Sequence, residues 1–170
     1  RDARTGAYSP GSLDLRFRHG ESVLVSESAS GADTGGNSAS RAPSISADGT
    51  LIAYESLATD VAGFVQGNGF NEADVFVRKI GGFTASRLVS AAFNSGSTGA
   101  SGGGSTRPSI SADGSAVAFE SRATDLVTGD TNGEQDIFFV RIEPADGATL
   151  GPATRASVHT SGVQGTGGDC

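Results

Sequence analysis

The chain has 170 residues, enough for one domain with its own core, but only 36% of it is hydrophobic, 6% is aromatic and 26 residues are glycine. A formal net charge of −7 disfavours binding to phosphate backbones or anionic lipid, and no stretch approaches 18 apolar residues, so no membrane span is predicted. A single cysteine, Cys170, excludes an internal disulfide and a cysteine-based zinc site.

The first part of the chain, residues 1–37, reads as the tail of a preceding repeat with an extra hairpin. Leu13–Arg18 alternates apolar and charged residues and meets Val23–Val25 across a short polar turn. This hairpin is either an edge ribbon or an assembly surface. The sequence opens on Arg1 with no initiator methionine and no signal-like apolar run, so we expect a processed product or a piece of a longer chain.

Residues 38–104 form a first repeat and residues 105–170 a second repeat with its connector. Pro43–Gly49 (Pro-Ser-Ile-Ser-Ala-Asp-Gly) returns as Pro108–Gly114, 65 residues further along. A fixed period indicates one supersecondary unit used repeatedly. The repeated positions assigned to the scaffold are Pro43, Asp48, Gly49 and Asp60, with Pro108, Asp113, Gly114 and Asp125 as their counterparts.

Each repeat is predicted to contain four short strands. Asp-Gly marks a tight turn between the first two strands, because glycine adopts the positive φ that such turns need. The long polar loop Leu57–Ala73 and the glycine-rich connector Gly96–Thr106 have no strand pattern, and no window shows a helical period. The predicted strands are Ser44–Ser46, Leu51–Ser56, Asp74–Ile80 and Ser86–Ala91, then Ser109–Ser111, Ala116–Ser121, Asp136–Ile142 and Thr154–Val158.

These motifs resemble the repeat of TolB-type β-propellers. The carriers of the resemblance are Pro-Ser-Ile-Ser-Ala-Asp-Gly, then Ala-Tyr/Phe-Glu-Ser, then Asp-Val/Ile-Phe, in both repeats. The resemblance implies an all-β fold of four-stranded antiparallel blades, about two blades plus an extra N-terminal strand or hairpin, from a ring of six or more. The long loop between the second and third strands and the long connector depart from the family pattern.

Two blades leave two apolar faces and their strand edges uncovered, because a blade is covered only by its neighbours. We therefore expect a protein partner, either further blades of a longer chain or copies of this chain associating head to tail. No nucleic-acid partner and no membrane insertion are predicted.

The best candidate for chemistry is an acidic loop in the second repeat, Asp130–Asp136. Its oxygen-bearing side chains around Gly133 are of the type that Ca²⁺ prefers. The alternative is a turn in which Asp and Asn bond their own backbone. The predicted calcium ligands are Asp130, Asn132, Glu134 and Asp136, with Asn68, Asn71 and Asp74 as a weaker counterpart in the first repeat.

The remaining candidates favour structure over catalysis. Glu55 and Glu120 recur on strands and are interpreted as partners of an arginine between blades, for instance Arg78 or Arg141. No nucleophile elbow or His-Glu-x-x-His motif is present, so no enzyme activity is predicted. The sequence favours a non-catalytic scaffold that is extracellular or on the cell surface, with the periplasm as a further location. The alternatives are the propeller domain of a larger secreted hydrolase or lyase and a carbohydrate-binding propeller.

Overall fold

The structure is a computed structural model that describes residues 22–30, 34–62, 72–81, 85–95, 98–143, 150–162 and 164. These residues form β-strands joined by turns and contain no helix, and hence no helix long and apolar enough to cross a membrane. The strands are β1 (Ser40–Ile45), β2 (Leu51–Ser56), β3 (Asp74–Lys79), β4 (Arg87–Leu88), β5 (Ser105–Ile110), β6 (Ala116–Ser121), β7 (Asp136–Arg141) and β8 (Thr154–Arg155).

The strands form two separate four-stranded sheets, β1-β2-β3-β4 and β5-β6-β7-β8, in which all neighbours are antiparallel. We call them blade 1 and blade 2. Their registers match residue for residue: Tyr54 lies opposite Phe76 in blade 1, and Phe119 lies opposite Phe138 in blade 2. The prediction of an all-β fold with propeller-like blades is confirmed.

The inner strands β1 and β5 begin four residues earlier than predicted, because each contains a bulge. The register shifts between Arg41 and Ser44 and between Thr106 and Ser109. Pro43 and Pro108 lie within these two shifts of register. Proline has no N–H to donate to the ladder, so the chain bulges there. Ala42 and Arg107 adopt positive φ angles of 51° and 52° at the bulge.

The outer strands are only two residues long, shorter than predicted. Beyond them a serine hydroxyl, and not a backbone carbonyl, accepts the hydrogen bond from the neighbouring strand. In blade 1 the N–H groups of Val89 and Ser90 both donate to the carbonyl of Val75, at 2.7 and 3.3 Å. The Ser90 hydroxyl accepts from the Val75 N–H at 3.0 Å. Ser157 does the same for Ile137 in blade 2.

The Asp-Gly turns form as predicted from their sequence. Gly49 and Gly114 both have a φ of 72°. Asp48 accepts from the Ser46 hydroxyl at 2.6 Å and from the Thr50 N–H at 3.0 Å, and Asp113 has equivalent partners. These bonds, led by the serine hydroxyl, lower the pKa of Asp48 and lower that of Asp113 to about 2. Both turns therefore contribute stability above the ordinary pKa of 3.8 that is lost as the pH falls below it.

The chain before blade 1 lies against that blade without forming a strand at Val23–Val25. Arg78 of β3 donates to the Val25 carbonyl at 2.7 Å and to Glu27 at 2.6 Å. The other half of the predicted hairpin, Leu13–Arg18, lies outside the described residues. Three isolated bridges follow the same plan along the chain: Glu27–Gly35, Ala91–Gly99 and Val158–Gln164.

Candidate functional site

The two blades pack against each other through the larger of the two hydrophobic clusters among the described residues. The larger hydrophobic cluster takes side chains from both sheets, whereas a smaller one lies on the other face of blade 1 around Tyr54, Phe76 and Leu88. Blade 1 contributes Leu51, Ala53, Val75, Val77, Val89 and Ala100 to the larger cluster, and blade 2 contributes Ile110, Val117, Phe119, Ala123, Leu126, Phe138, Val140 and Ile142. Burial of a large apolar side chain stabilises such an interface by about 1.5–3 kcal/mol.

Glu55 of β2 is the main polar contact across this interface. Its carboxylate accepts from the backbone N–H of Arg107, at the bulge of blade 2, at 2.6 Å. The same carboxylate forms an ion pair with Arg41 in its own blade at 2.5 Å, and its side chain is only 6% exposed. Arg107, which has a positive φ at the bulge of β5, thus presents its N–H to the neighbouring blade.

Two further hydrogen bonds join the inner strands. The Ile110 N–H donates to the Ser44 hydroxyl at 3.1 Å, and the Ala47 N–H donates to the Ala112 carbonyl at 2.8 Å. A third bond reaches blade 2 from the loop before β3, where the Ser105 N–H donates to the Ala73 carbonyl at 2.7 Å. The interface therefore has a fixed register as well as an apolar core.

We call the face of blade 1 turned away from blade 2 the leading face, and the face of blade 2 turned away from blade 1 the trailing face. On the leading face Ile45 is 58% exposed, whereas its counterpart Ile110 is 9% exposed against blade 1. Pro43 is exposed and its counterpart Pro108 is buried. A groove of about 190 Å³ lies here, lined in part by Val25, Pro43, Ile52 and Tyr54.

The trailing face is also uncovered. Ile137 of β7 is 40% exposed, whereas Val75, its counterpart in blade 1, is 0% exposed beneath blade 2. Phe139, Ala116 and Ala118 on the same face are half-buried, although their counterparts in blade 1 are buried. Ile45 and Pro43 at one end, and Ile137 at the other, are thus exposed at positions that the central interface buries. Tyr54 and Phe76 on the leading face, by contrast, are buried in a cluster that includes Val25.

The acidic loop of blade 2 brings Asp130 and Asp136 close together, with both side chains buried. The cation between them is Arg155 of β8, whose Nη1 lies 3.7 Å from Asp130 and 3.6 Å from Asp136. The Arg155 side chain is only 9% exposed, and Nη1 has no hydrogen-bond partner at these distances. A guanidinium therefore supplies the positive charge that we predicted for Ca²⁺.

The other predicted ligands in this loop have local partners. Asn132 accepts from the Glu134 N–H at 3.1 Å, which is the turn geometry given above as the alternative to a metal site. Glu134 is exposed. Among the residues that the structure describes, no three His, Cys, Asp or Glu side chains are arranged to hold a metal ion. Calcium binding stays a prediction.

In blade 1 the structure describes one of the weaker candidates, Asp74, which is 2% exposed and accepts from the Ser90 hydroxyl at 2.9 Å. Asn68 and Asn71 lie outside the described residues.

Asp60 and Asp125 hold the connectors that precede each blade. Asp125 accepts from both the N–H and the hydroxyl of Ser101 at 2.7 Å, and Asp60 accepts from the Asn37 N–H at 2.8 Å. These carboxylates position chain segments at the edge of each blade.

The interpretation of Glu55 as a partner of Arg78 is wrong, because Arg78 bonds the segment before blade 1. Glu120 does not meet Arg141 either: its partners are Arg107, at 3.0 Å, and Gln135. The sequence contains no local signal for these pairs, since each depends on where a bulge or a neighbouring segment lies. The Arg155 contact was missed for the same reason.

No protein-family model matches the sequence, and a search of curated proteins finds no match. The resemblance to TolB-type repeats therefore depends on the motifs themselves.

Proposed function

We propose that this chain is a non-catalytic scaffold, extracellular or on the cell surface, that binds protein through the leading and trailing faces. The observation that supports it is the contrast between equivalent positions of the two repeats: Ile110 of the second repeat is 9% exposed, whereas Ile45 of the first is 58% exposed. Exposed apolar patches with a defined shape favour protein–protein contact. The resemblance to TolB-type propellers supports the same proposal, since propeller blades cover one another face to face.

The use of the repeated acidic side chains favours a scaffold over an enzyme. Glu55 bonds the neighbouring blade, Asp48 closes a turn and Asp125 holds a connector. A catalytic acid or base needs a group within reach of a substrate, whereas these carboxylates are engaged with backbone N–H groups.

The proposal is tested with the apolar dye 8-anilinonaphthalene-1-sulfonate, added to the chain at high dilution. We expect enhanced dye fluorescence because both faces present apolar side chains to water. Ile45→Arg changes the leading face and Ile137→Arg the trailing face, so each is expected to lower the enhancement by about half.

Phe93→Arg is the matched control. Phe93 is 44% exposed, but it lies in the connector, where its N–H donates to the Asp125 carbonyl. This variant should leave the dye signal unchanged. A chain that does not enhance the fluorescence, or an enhancement that Phe93→Arg lowers as much as the face variants do, would contradict the proposal.

A further inference from the structure

We propose that the protein bound by these faces is a second copy of this chain, whose leading face docks on the trailing face of the first. This inference rests on the proposed function and names the partner. Its basis is the repeat itself, because the contact between blade 1 and blade 2 already shows how one such face covers the other.

The apolar parts of the two faces match position by position. Inside one chain, Val75 of blade 1 is covered by blade 2, and Ile110 of blade 2 is covered by blade 1. Their counterparts at the two ends are Ile137, on the trailing face, and Ile45, on the leading face. These are among the most exposed large apolar side chains of the described residues, at 40% and 58%. A second copy placed in the same relation brings Ile45 and the groove beside Pro43 against Ile137. The bridge Glu27–Gly35 of that copy already holds the place beside Asp60 that Ala91–Gly99 holds beside Asp125, so the equivalent bridge Val158–Gln164 of the first copy stays outside the contact.

The polar contacts repeat as well. Glu55 accepts from the N–H at the bulge of the next blade. Glu120 holds the equivalent position in blade 2, and Ala42 holds the equivalent bulge position in blade 1, with a φ of 51° against 52° at Arg107. The inferred contact therefore joins Glu120 to the N–H of Ala42 in the second copy.

The inner strands supply two more equivalent pairs. The bond from Ile110 to Ser44 becomes a bond from Ile45 of the second copy to Ser109, and the Ala112 N–H reaches the Ala47 carbonyl of that copy. Both donors and acceptors are thus available at the ends in the register that the central interface uses. This interface is heterologous, because the two surfaces differ, so it extends into a ring or an open chain of copies.

The test is sedimentation of the purified chain over about three decades of concentration up to ~1 mM. The wild type is expected to grow in mass with concentration. Ile45→Arg and Ile137→Arg alone should each weaken association at least ~10-fold. Mixed together, they should form a 1:1 dimer that grows no further, because one intact leading face then meets one intact trailing face.

Phe93→Arg should associate like the wild type. Glu120→Ala serves as a second trailing-face variant if Ile137→Arg lowers the melting temperature, and it should weaken association in the same way. A wild type that stays monomeric throughout, or a mixture that forms no dimer, would overturn the inference. Dye binding separates the two proposals: a monomer whose faces still bind the dye overturns only the choice of a second copy, whereas a monomer without dye binding also overturns the proposed function.

Discussion

A hydroxyl pair is the clearest difference between the aromatic cores of the two blades. Tyr54 stacks on Phe76 at 5.7 Å between ring centroids, and Phe119 stacks on Phe138 at 6.0 Å. The Tyr54 hydroxyl contacts the Ser86 hydroxyl at 2.6 Å in a buried site. Ala153 stands in the position of blade 2 equivalent to Ser86, and Phe119 in that of Tyr54, so blade 2 lacks both hydroxyls. The two hydroxyls are needed together or not at all, because a buried polar group without a partner is costly.

Tyr54→Phe is expected to destabilise the chain by about 1–2 kcal/mol, because it leaves the Ser86 hydroxyl without its buried partner. Ser86→Ala should cost a similar amount, and the double variant should cost clearly less than the sum of the two. Urea unfolding at pH 7 measures these free energies. Additive single effects would show that the pair contributes nothing as a pair.

The same pair gives a pH dependence with a defined sign. Burial raises the pKa of Tyr54 to about 12, against the opposing effect of the Ser86 hydrogen bond. The folded state therefore holds the proton more tightly than the unfolded chain does. This contribution to stability is complete below pH 10 and is lost as the pH rises towards 12. Tyr54→Phe should remove this alkaline loss.

At the scale of the strand, the outer strands β4 and β8 differ in one consequential residue. Leu88 of β4 lies opposite Phe76 and is buried, and Arg155 of β8 lies opposite Phe138 in the same register. The arginine reaches the acidic loop, where the Gln164 side chain also donates to Asp130 at 2.8 Å. An outer strand of two residues is thus tied to the loop before β7 by charge.

Arg155→Leu, which places the residue of blade 1 in blade 2, should destabilise the chain by about 3 kcal/mol, because two buried carboxylates lose their counter-charge. Adding ~5 mM Ca²⁺ should then raise the melting temperature more in this variant than in the wild type, since a bound cation stabilises the folded state. Mg²⁺ at the same concentration is the control. An equal rise in both proteins would show that Ca²⁺ binds independently of the site that Arg155 occupies, and no rise in either would end the calcium prediction.

The period of the sequence was sufficient to predict most strands, because Asp-Gly turns and alternating apolar residues act locally. The bulges could not be predicted in this way: Ala42 and Arg107 have positive φ angles without the glycine or asparagine that usually signals one. The acidic loop was found as a cluster of oxygen ligands, but its partner Arg155 lies on another strand. Contacts between segments distant in sequence, such as Glu55 with Arg107, require the placement of the blades.

At the scale of the whole molecule, the two sheets share one core and are expected to unfold together. Their larger hydrophobic cluster continues from Val77 in blade 1 to Phe138 in blade 2 without a boundary. Polar contacts then fix how far one blade is displaced along the other. Residues at the equivalent positions recur at the open ends, so the central interface is a template for the arrangement that we infer between copies.

Glu55 and Glu120 offer a matched comparison of a covered and an open interface within one molecule. In the monomer, at high dilution, Glu55→Ala should destabilise the chain by about 2–3 kcal/mol, because the Arg107 N–H loses its acceptor between the blades. Glu120→Ala should cost less than ~1 kcal/mol, since its partner Arg107 has a side chain that is 75% exposed and such pairs contribute little. Denaturant unfolding followed by both tyrosine fluorescence and circular dichroism measures the two costs and shows whether one transition describes both probes. Equal costs for the two glutamates would contradict the assignment of Glu55 to the interface, because they would show that burial beneath the neighbouring blade makes no difference to the carboxylate.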